Sequence, residues 1–120
     1  MIFIENLLNF KLFKDNNLKY EQNSIAYFKN FDKIMFELNT NKFNLTLNEK
    51  GFIFQKEDED SVFYLSKEED DCISYIYLKK ENVRFDIKVI KCSIEYSNNK
   101  YILEYNIESD EVNTKILIEL

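Results

Sequence analysis

The sequence predicts a single all-β domain, on two observations. Apolar and polar residues alternate along most of the chain, which is the period of strands with one buried face. Clusters of Asn, Asp, Glu and Lys break that alternation at intervals of about 8–15 residues, the rhythm of short strands joined by tight turns.

Composition bounds the rest. The chain has 120 residues, 45% of them hydrophobic, with 11 Phe and 8 Tyr. A chain of this length buries roughly two-thirds of its unfolded surface and needs no metal or disulfide framework. No linker, repeat or low-complexity tract divides it, so residues 1–120 are expected to form one domain. There is no His, Pro or Trp, and Gly51 is the only glycine. This is the bias of an AT-rich genome, and it leaves Asn and Asp to supply the turns.

The elements follow in order. Residues 2–14 fit two patterns. Ile4, Leu7, Leu8, Lys11 and Leu12 make a helical face, while Phe10, Leu12 and Phe13 fit a strand; the strand is preferred. Segment 18–29 reads as a strand. Ile34, Phe36 and Leu38 alternate with Lys33 and Glu37; Phe43, Leu45 and Leu47 alternate with Asn44 and Thr46. Segments 52–56, 61–66 and 72–78 are strands too. Val83, Phe85, Ile87 and Val89 share one face. The phase then slips, and Cys92, Ile94 and Tyr96 continue it. A slip inside continuous β sequence predicts a bulge or bend near Ile90. Tyr101, Leu103, Tyr105 and Ile107, then Val112, Thr114, Ile116 and Ile118, complete the set. Such a series folds as a β-sandwich or an up-and-down barrel.

Several strands are apolar on both faces: Ile34 to Leu38, Phe52 to Phe54, Val62 to Leu65 and Ile116 to Ile118. Their second face calls for a cover, either another strand layer or a partner subunit.

Much chemistry is excluded. Without His, imidazole relays and imidazole metal sites are missing. One glycine allows neither a P-loop nor a dinucleotide fingerprint. No cofactor and no metal is expected, and an enzyme is not the favoured reading. The net charge is −6, with 15 Lys and one Arg, which offers little counterion release on nucleic acid. The apolar N-terminus is broken by Glu5 and Asn6 and has no basic start or cleavage pattern. No apolar run reaches the roughly 20 residues that span a bilayer. We expect a cytoplasmic protein with reduced thiols and no membrane or nucleic-acid partner.

Four groups of residues remain. The acidic runs Glu57-Asp58-Glu59-Asp60 and Glu68-Glu69-Asp70-Asp71 read as solvated turns or as a hard-cation site, with turns favoured because the EF-hand spacing is missing. Cys72 and Cys92 read as packing residues. Arg84, the only arginine, offers a planar fork for a carboxylate or phosphate or a surface pair with Asp86. Tyr75, Tyr77, Tyr101 and Tyr105 recur at strand spacing and line either the core or a ligand cavity.

The order of elements resembles the YwiB-like family of small bacterial calycin-type barrels. Leu18-Lys19-Tyr20-Glu21 leading to Ala26-Tyr27-Phe28-Lys29-Asn30 is similar to the family's early hairpin. Ile34-Met35-Phe36-Glu37, Phe52 to Lys56, Val62-Phe63-Tyr64 and Tyr75-Ile76-Tyr77 resemble its middle strands. Val83 to Val89, Cys92 to Tyr96, Tyr101 to Tyr105 and Asn113 to Glu119 resemble its central and closing strands. The resemblance implies an antiparallel, lipocalin-like up-and-down barrel of about eight to ten strands. It carries no established activity. Its calycin-like shape implies a barrel that holds a small ligand. Our own reading of the residues places an apolar small molecule in the lumen, with Tyr75, Tyr77, Tyr101 and Tyr105 as walls and Arg84 or Glu37 as polar contacts. The alternative is a structural protein that forms a homodimer or larger homo-oligomer through an aromatic sheet face.

Overall fold

The computed structural model describes residues 6–120. Eleven strands fill the chain: β1 (Leu7–Lys14), β2 (Asn17–Asn30), β3 (Lys33–Leu38), β4 (Asn41–Asn48), β5 (Gly51–Glu57) and β6 (Ser61–Glu68). They continue with β7 (Asp71–Leu78), β8 (Val83–Ile87), β9 (Val89–Ser97), β10 (Lys100–Ile107) and β11 (Asp110–Glu119). Every pairing is antiparallel, and the hydrogen-bonded order is β8-β7-β6-β5-β4-β3-β2-β1-β11-β10-β9. The first strand pairs with the last, so the sheet curls into a nearly closed up-and-down barrel. The expected fold class stands. Residues 7–14 are strand; the rest of the ambiguous segment, residues 2–5, lies outside the described residues.

Asn and acidic residues make the turns, as the lack of glycine requires. Asp15, Asn16, Asn39, Asn82, Asn98 and Asn99 all have positive φ, between 49° and 66°. Asp15-Asn16 and Asn98-Asn99 are two-residue hairpin loops with both residues left-handed, the geometry that matches the natural twist of paired strands. Asn48 adds a side-chain turn, its Oδ1 accepting from the backbone N–H of Lys50 and Gly51 at 2.9 and 2.7 Å.

Register turns alternation into a core. Ile34 sits opposite Leu45, Leu45 opposite Phe54, and Phe54 opposite Leu65. Phe10 sits opposite Ile118, and Ile118 opposite Tyr101. All seven are buried. Aromatic rings run through the interior: Phe36 stacks on Phe43 at 5.0 Å, and Phe10, Phe54, Phe63 and Tyr105 extend the chain of contacts. The middle of the lumen is therefore filled by side chains.

Two bends close the barrel. On β2, Asn23 and Ser24 are both accommodated opposite Asn9, because Leu8 pairs with Ile25 and Phe10 with Gln22. Ser24 takes φ 59°, and its N–H donates to Asn9 Oδ1 at 3.0 Å. Beyond this kink β2 stays on β1 through Ala26 and then pairs with β3 from Tyr27 to Asn30. The second bend is at Ile90. Asn106 pairs with Lys91 but Ile107 pairs with Val89, so Ile90 is the extra residue of a bulge. This is where the alternation slips in sequence.

The strand count exceeds eight to ten for a related reason. Val83 to Ser97 reads as one strand, yet it breaks at Lys88. Its first part pairs with β7 and its second with β10. The two parts are the ends of the sheet order, and only the chain itself joins them.

The two-sided apolar strands have no second strand layer over them among the described residues. Met35, Ile53, Tyr64 and Leu117 point outward and are half-buried by their neighbours on the sheet.

Gly51 has a steric role. It pairs with Glu68, and a Cβ built on it would collide with the Lys67 carbonyl. Gly51→Ala is expected to cost about 1–3 kcal/mol, as overpacking does. Urea unfolding should show a lower midpoint with an unchanged slope.

Candidate functional site

One end of the barrel is open. Where the β1–β2 and β3–β4 turns meet the ends of β5 and β10, a cavity of about 310 Å³ remains. Phe10, Leu12, Phe43, Phe54 and Ile116 form its apolar body. Lys14, Lys56, Asn39, Asn41 and the Tyr20 side chain form its rim. The volume is at the lower end for a small-molecule site, about 300 Å³ and upward.

Alternation places the two lysines there. Leu8, Phe10, Leu12 and Lys14 share the inward phase of β1, and Phe52, Phe54 and Lys56 share that of β5. In each strand the inward row ends in a lysine at the same mouth. The Lys14 ammonium donates to Thr114 Oγ1 at 2.7 Å, which fixes it against the wall. The Tyr20 hydroxyl donates to Gln22 Oε1 at 2.6 Å and accepts from Asn39 Nδ2 at 3.3 Å. None of the lining residues is acidic. Beside the two lysines in sequence, Glu57 is held by the Lys79 ammonium at 2.7 Å, and Asp15 Oδ1 accepts from the Asn113 N–H at 3.0 Å.

The sequence-selected residues are scattered. Tyr105 lines the cavity. Tyr101 is buried near Tyr96, ring centroids 4.4 Å apart, and burial foremost pushes its hydroxyl up to about 12. Arg84, Tyr75 and Tyr77 do not line the cavity. Arg84 Nε donates to Asp86 Oδ1 at 2.9 Å, and its guanidinium lies 4.0 Å over the Tyr75 ring. Tyr75 stacks on Tyr64 at 4.7 Å, so arginine and tyrosines build one outer-face stack. The Tyr77 hydroxyl donates to Asn82 Oδ1. Glu37 also faces outward on β3, beside shallow depressions with Met35. Arg84 and Glu37 thus lie away from this cavity, and the charged residues that line it are Lys14 and Lys56. A lysine in the apolar phase at a strand end is the signal that would have found them.

Cys72 and Cys92 come together. Their Sγ atoms are 2.6 Å apart, although 20 residues separate them in sequence. Cys92 is buried and Cys72 is partly exposed. Burial, then the Cys72 thiol beside it, pushes the Cys92 thiol up to about 12.

The acidic runs are used as turns. Asp58 Oδ1 accepts from the N–H of Asp60 and Ser61 at 2.8 and 2.7 Å. Among the described residues, no three His, Cys, Asp or Glu side chains are placed to hold a metal ion. Nor is any helix long and apolar enough to cross a membrane.

Fold and cavity define the class: an up-and-down β-barrel with one apolar, lysine-rimmed mouth. No family model matches the chain, and a search of curated proteins gives no significant match.

The turn bonds hold the Asp58 carboxyl below its ordinary value, through the Asp60 N–H first and the Ser61 N–H next. A carboxyl depressed by folding stabilises above its unfolded pKa and loses that contribution as pH falls through the folded value. Asp58→Asn should therefore lower Tm at neutral pH. The gap to the parent protein should begin to narrow once the pH drops below about 4, the ordinary aspartate value, and close as the pH falls through the lower folded value. Thermal melts across the acidic range measure this.

Proposed function

We propose that the protein is a non-catalytic cytoplasmic binding module for a small amphipathic anion. The ligand's apolar part fills the open end of the barrel, and its anionic group meets Lys14 and Lys56. One observation carries this reading: two inward-phase lysines rim an apolar cavity that no carboxylate lines. The body offers dispersion and burial, and the rim offers charge-assisted hydrogen bonds. The up-and-down strand order also supports placing the chain with the bacterial YwiB-like, calycin-type barrels that its sequence resembles.

Decanoate and decanol test it, having the same chain and differing in head group. Titration calorimetry should show decanoate binding about tenfold more tightly, as expected for a charge-assisted bond worth about 1.5 kcal/mol. Lys56→Gln should erase most of that difference. Lys56 is exposed and makes no bond that the fold needs, so the variant remains folded. Equal affinity for acid and alcohol sinks the proposal.

A second reading, a homodimer, has its own support. The free edges of the sheet are β8 and β9, and they expose Val83, Phe85 and Ile90, the last two at 55% and 63%. The Tyr64–Tyr75–Arg84 stack lies on the outer face beside them. Exposed strand edges are templates for pairing with a second chain. This reading expects a concentration-dependent dimer in sedimentation, abolished by Phe85→Lys. A monomer at every concentration removes it.

A further inference from the structure

The barrel has a seam, and the cysteines stand on it. β8 covers β7 only from Ser74 to Leu78. The first residues of β7, from Asp71 to Ile73, extend past that ladder. Here β7 comes against β9, the other end of the sheet order, with no ladder between them. Neighbouring strands elsewhere around the barrel are tied by backbone hydrogen bonds. At this stretch only side chains hold the two edges together.

Cys72 projects from β7 and Cys92 from β9, with their sulfurs 2.6 Å apart. That is about 0.5 Å longer than an S–S bond of about 2.05 Å. A small side-chain movement joins them. Lys67 stands directly opposite Cys72 on β6, and its ammonium donates to the Cys92 carbonyl at 3.3 Å. A cation from the neighbouring strand therefore flanks the thiol pair. A metal site does not fit, since no third ligand stands beside the two thiols among the described residues.

We propose that Cys72 and Cys92 are an oxidisable dithiol, and that their disulfide is a latch that closes the barrel seam. The oxidant is a peroxide. The half-exposed Cys72 is the sulfur that a peroxide reaches. Its thiolate attacks one peroxide oxygen, the O–O bond breaks, and the departing hydroxide takes up the proton given up by Cys72 and leaves as water. Cys72 is now a sulfenic acid. The Cys92 sulfur, already in contact, attacks the Cys72 sulfur. The S–O bond breaks, and the leaving hydroxide takes the Cys92 proton as a second water. Two thiols have given two electrons to one peroxide, and one S–S bond has formed. Cys92 takes the second role because it is buried and its thiol holds its proton firmly. In a reducing compartment such a bond is transient, which suits a regulated latch.

Cys92 stands opposite the cavity-lining Tyr105 on β10, while Cys72 lies away from the mouth. β6 begins near the open mouth, and Lys67 and Cys72 stand at the other end of the β6–β7 hairpin. Closure adds a covalent tie exactly where the backbone ladder is missing, and it constrains the unfolded chain over a 20-residue separation.

The test uses the full reduced chain and hydrogen peroxide. Intact mass should fall by two hydrogens, and peptide mapping should find Cys72 linked to Cys92 in the monomer. Tm should rise by roughly 10 °C on oxidation and return on reduction. With Cys92→Ser, a sulfenic acid should accumulate at Cys72 and be captured by dimedone. With Cys72→Ser, native protein should resist both peroxide and dimedone. Oxygen adducts in place of the disulfide, disulfide-linked dimers, or a Tm unchanged by the internal disulfide would each overturn the proposal. The parent protein alone decides the first and last of these, so the result does not hang on how well the variants fold.

Discussion

Everything in this fold depends on closing one sheet on itself. A single layer has no second sheet or helix to cover its apolar face, so that face is buried only if the sheet curls until its ends meet. With 11 strands and no helix among the described residues, the chain has no other route to a core. Curling needs corners, and corners need local defects in the ladder. The chain supplies them at Ser24 and Ile90. At the first, a serine takes a left-handed backbone that glycine usually takes, and the Asn9 side chain satisfies the N–H that the bulge frees. At the second, an isoleucine is pushed out of register and into solvent so that Val89 and Cys92 both face the interior.

Closure also decides where a cavity is left. Inward positions around the middle of the barrel are Ile34, Leu45, Phe54, Leu65, Phe10 and Ile118, all large. Such rows brought to one axis leave no room, and the aromatic contacts between Phe10, Phe36, Phe43 and Phe54 fill the centre. At the open mouth, space survives where the inward rows stop being apolar. On β1 and β5 they stop at Lys14 and Lys56, whose long stems reach outward to keep their charge in water. The cavity is thus a consequence of where two apolar rows end, and its polarity follows from what ends them.

The strands were legible because one face is buried along nearly every one, and the turns because Asn and Asp replace glycine at positive φ. Even the Ile90 bulge could be read from a slip of phase. The split at Lys88 could not, because alternation runs straight across it; which partner each half pairs with is decided by the far side of the barrel. The same limit hid the site. Arg84 stood out by being unique, yet its exposed position beside Asp86 and over Tyr75 gives it an outer-face role. Lys14 and Lys56 looked like two of many lysines until closure brought 42 residues of separation to one rim. Cys72 and Cys92 lie on strands that are distant in sheet order and adjacent only across the seam, so no local period could pair them.

The acidic net charge of −6 and the basic rim are compatible because they act at different ranges. Net charge governs the far field and keeps the surface solvated. Beyond a screening length of about 8–10 Å, exposed charges contribute little to an event at the mouth. Near the mouth, Glu57 pairs with Lys79, Asp58 with its own turn, and Asp15 accepts from the Asn113 N–H. Lys14 is fixed by a hydroxyl, which leaves its charge unneutralised. What an approaching ligand meets is therefore set by these few local pairings. The proposed anion meets lysine charge at the rim of an acidic protein because neighbouring carboxylates such as Glu57, Asp58 and Asp15 already have partners in the fold.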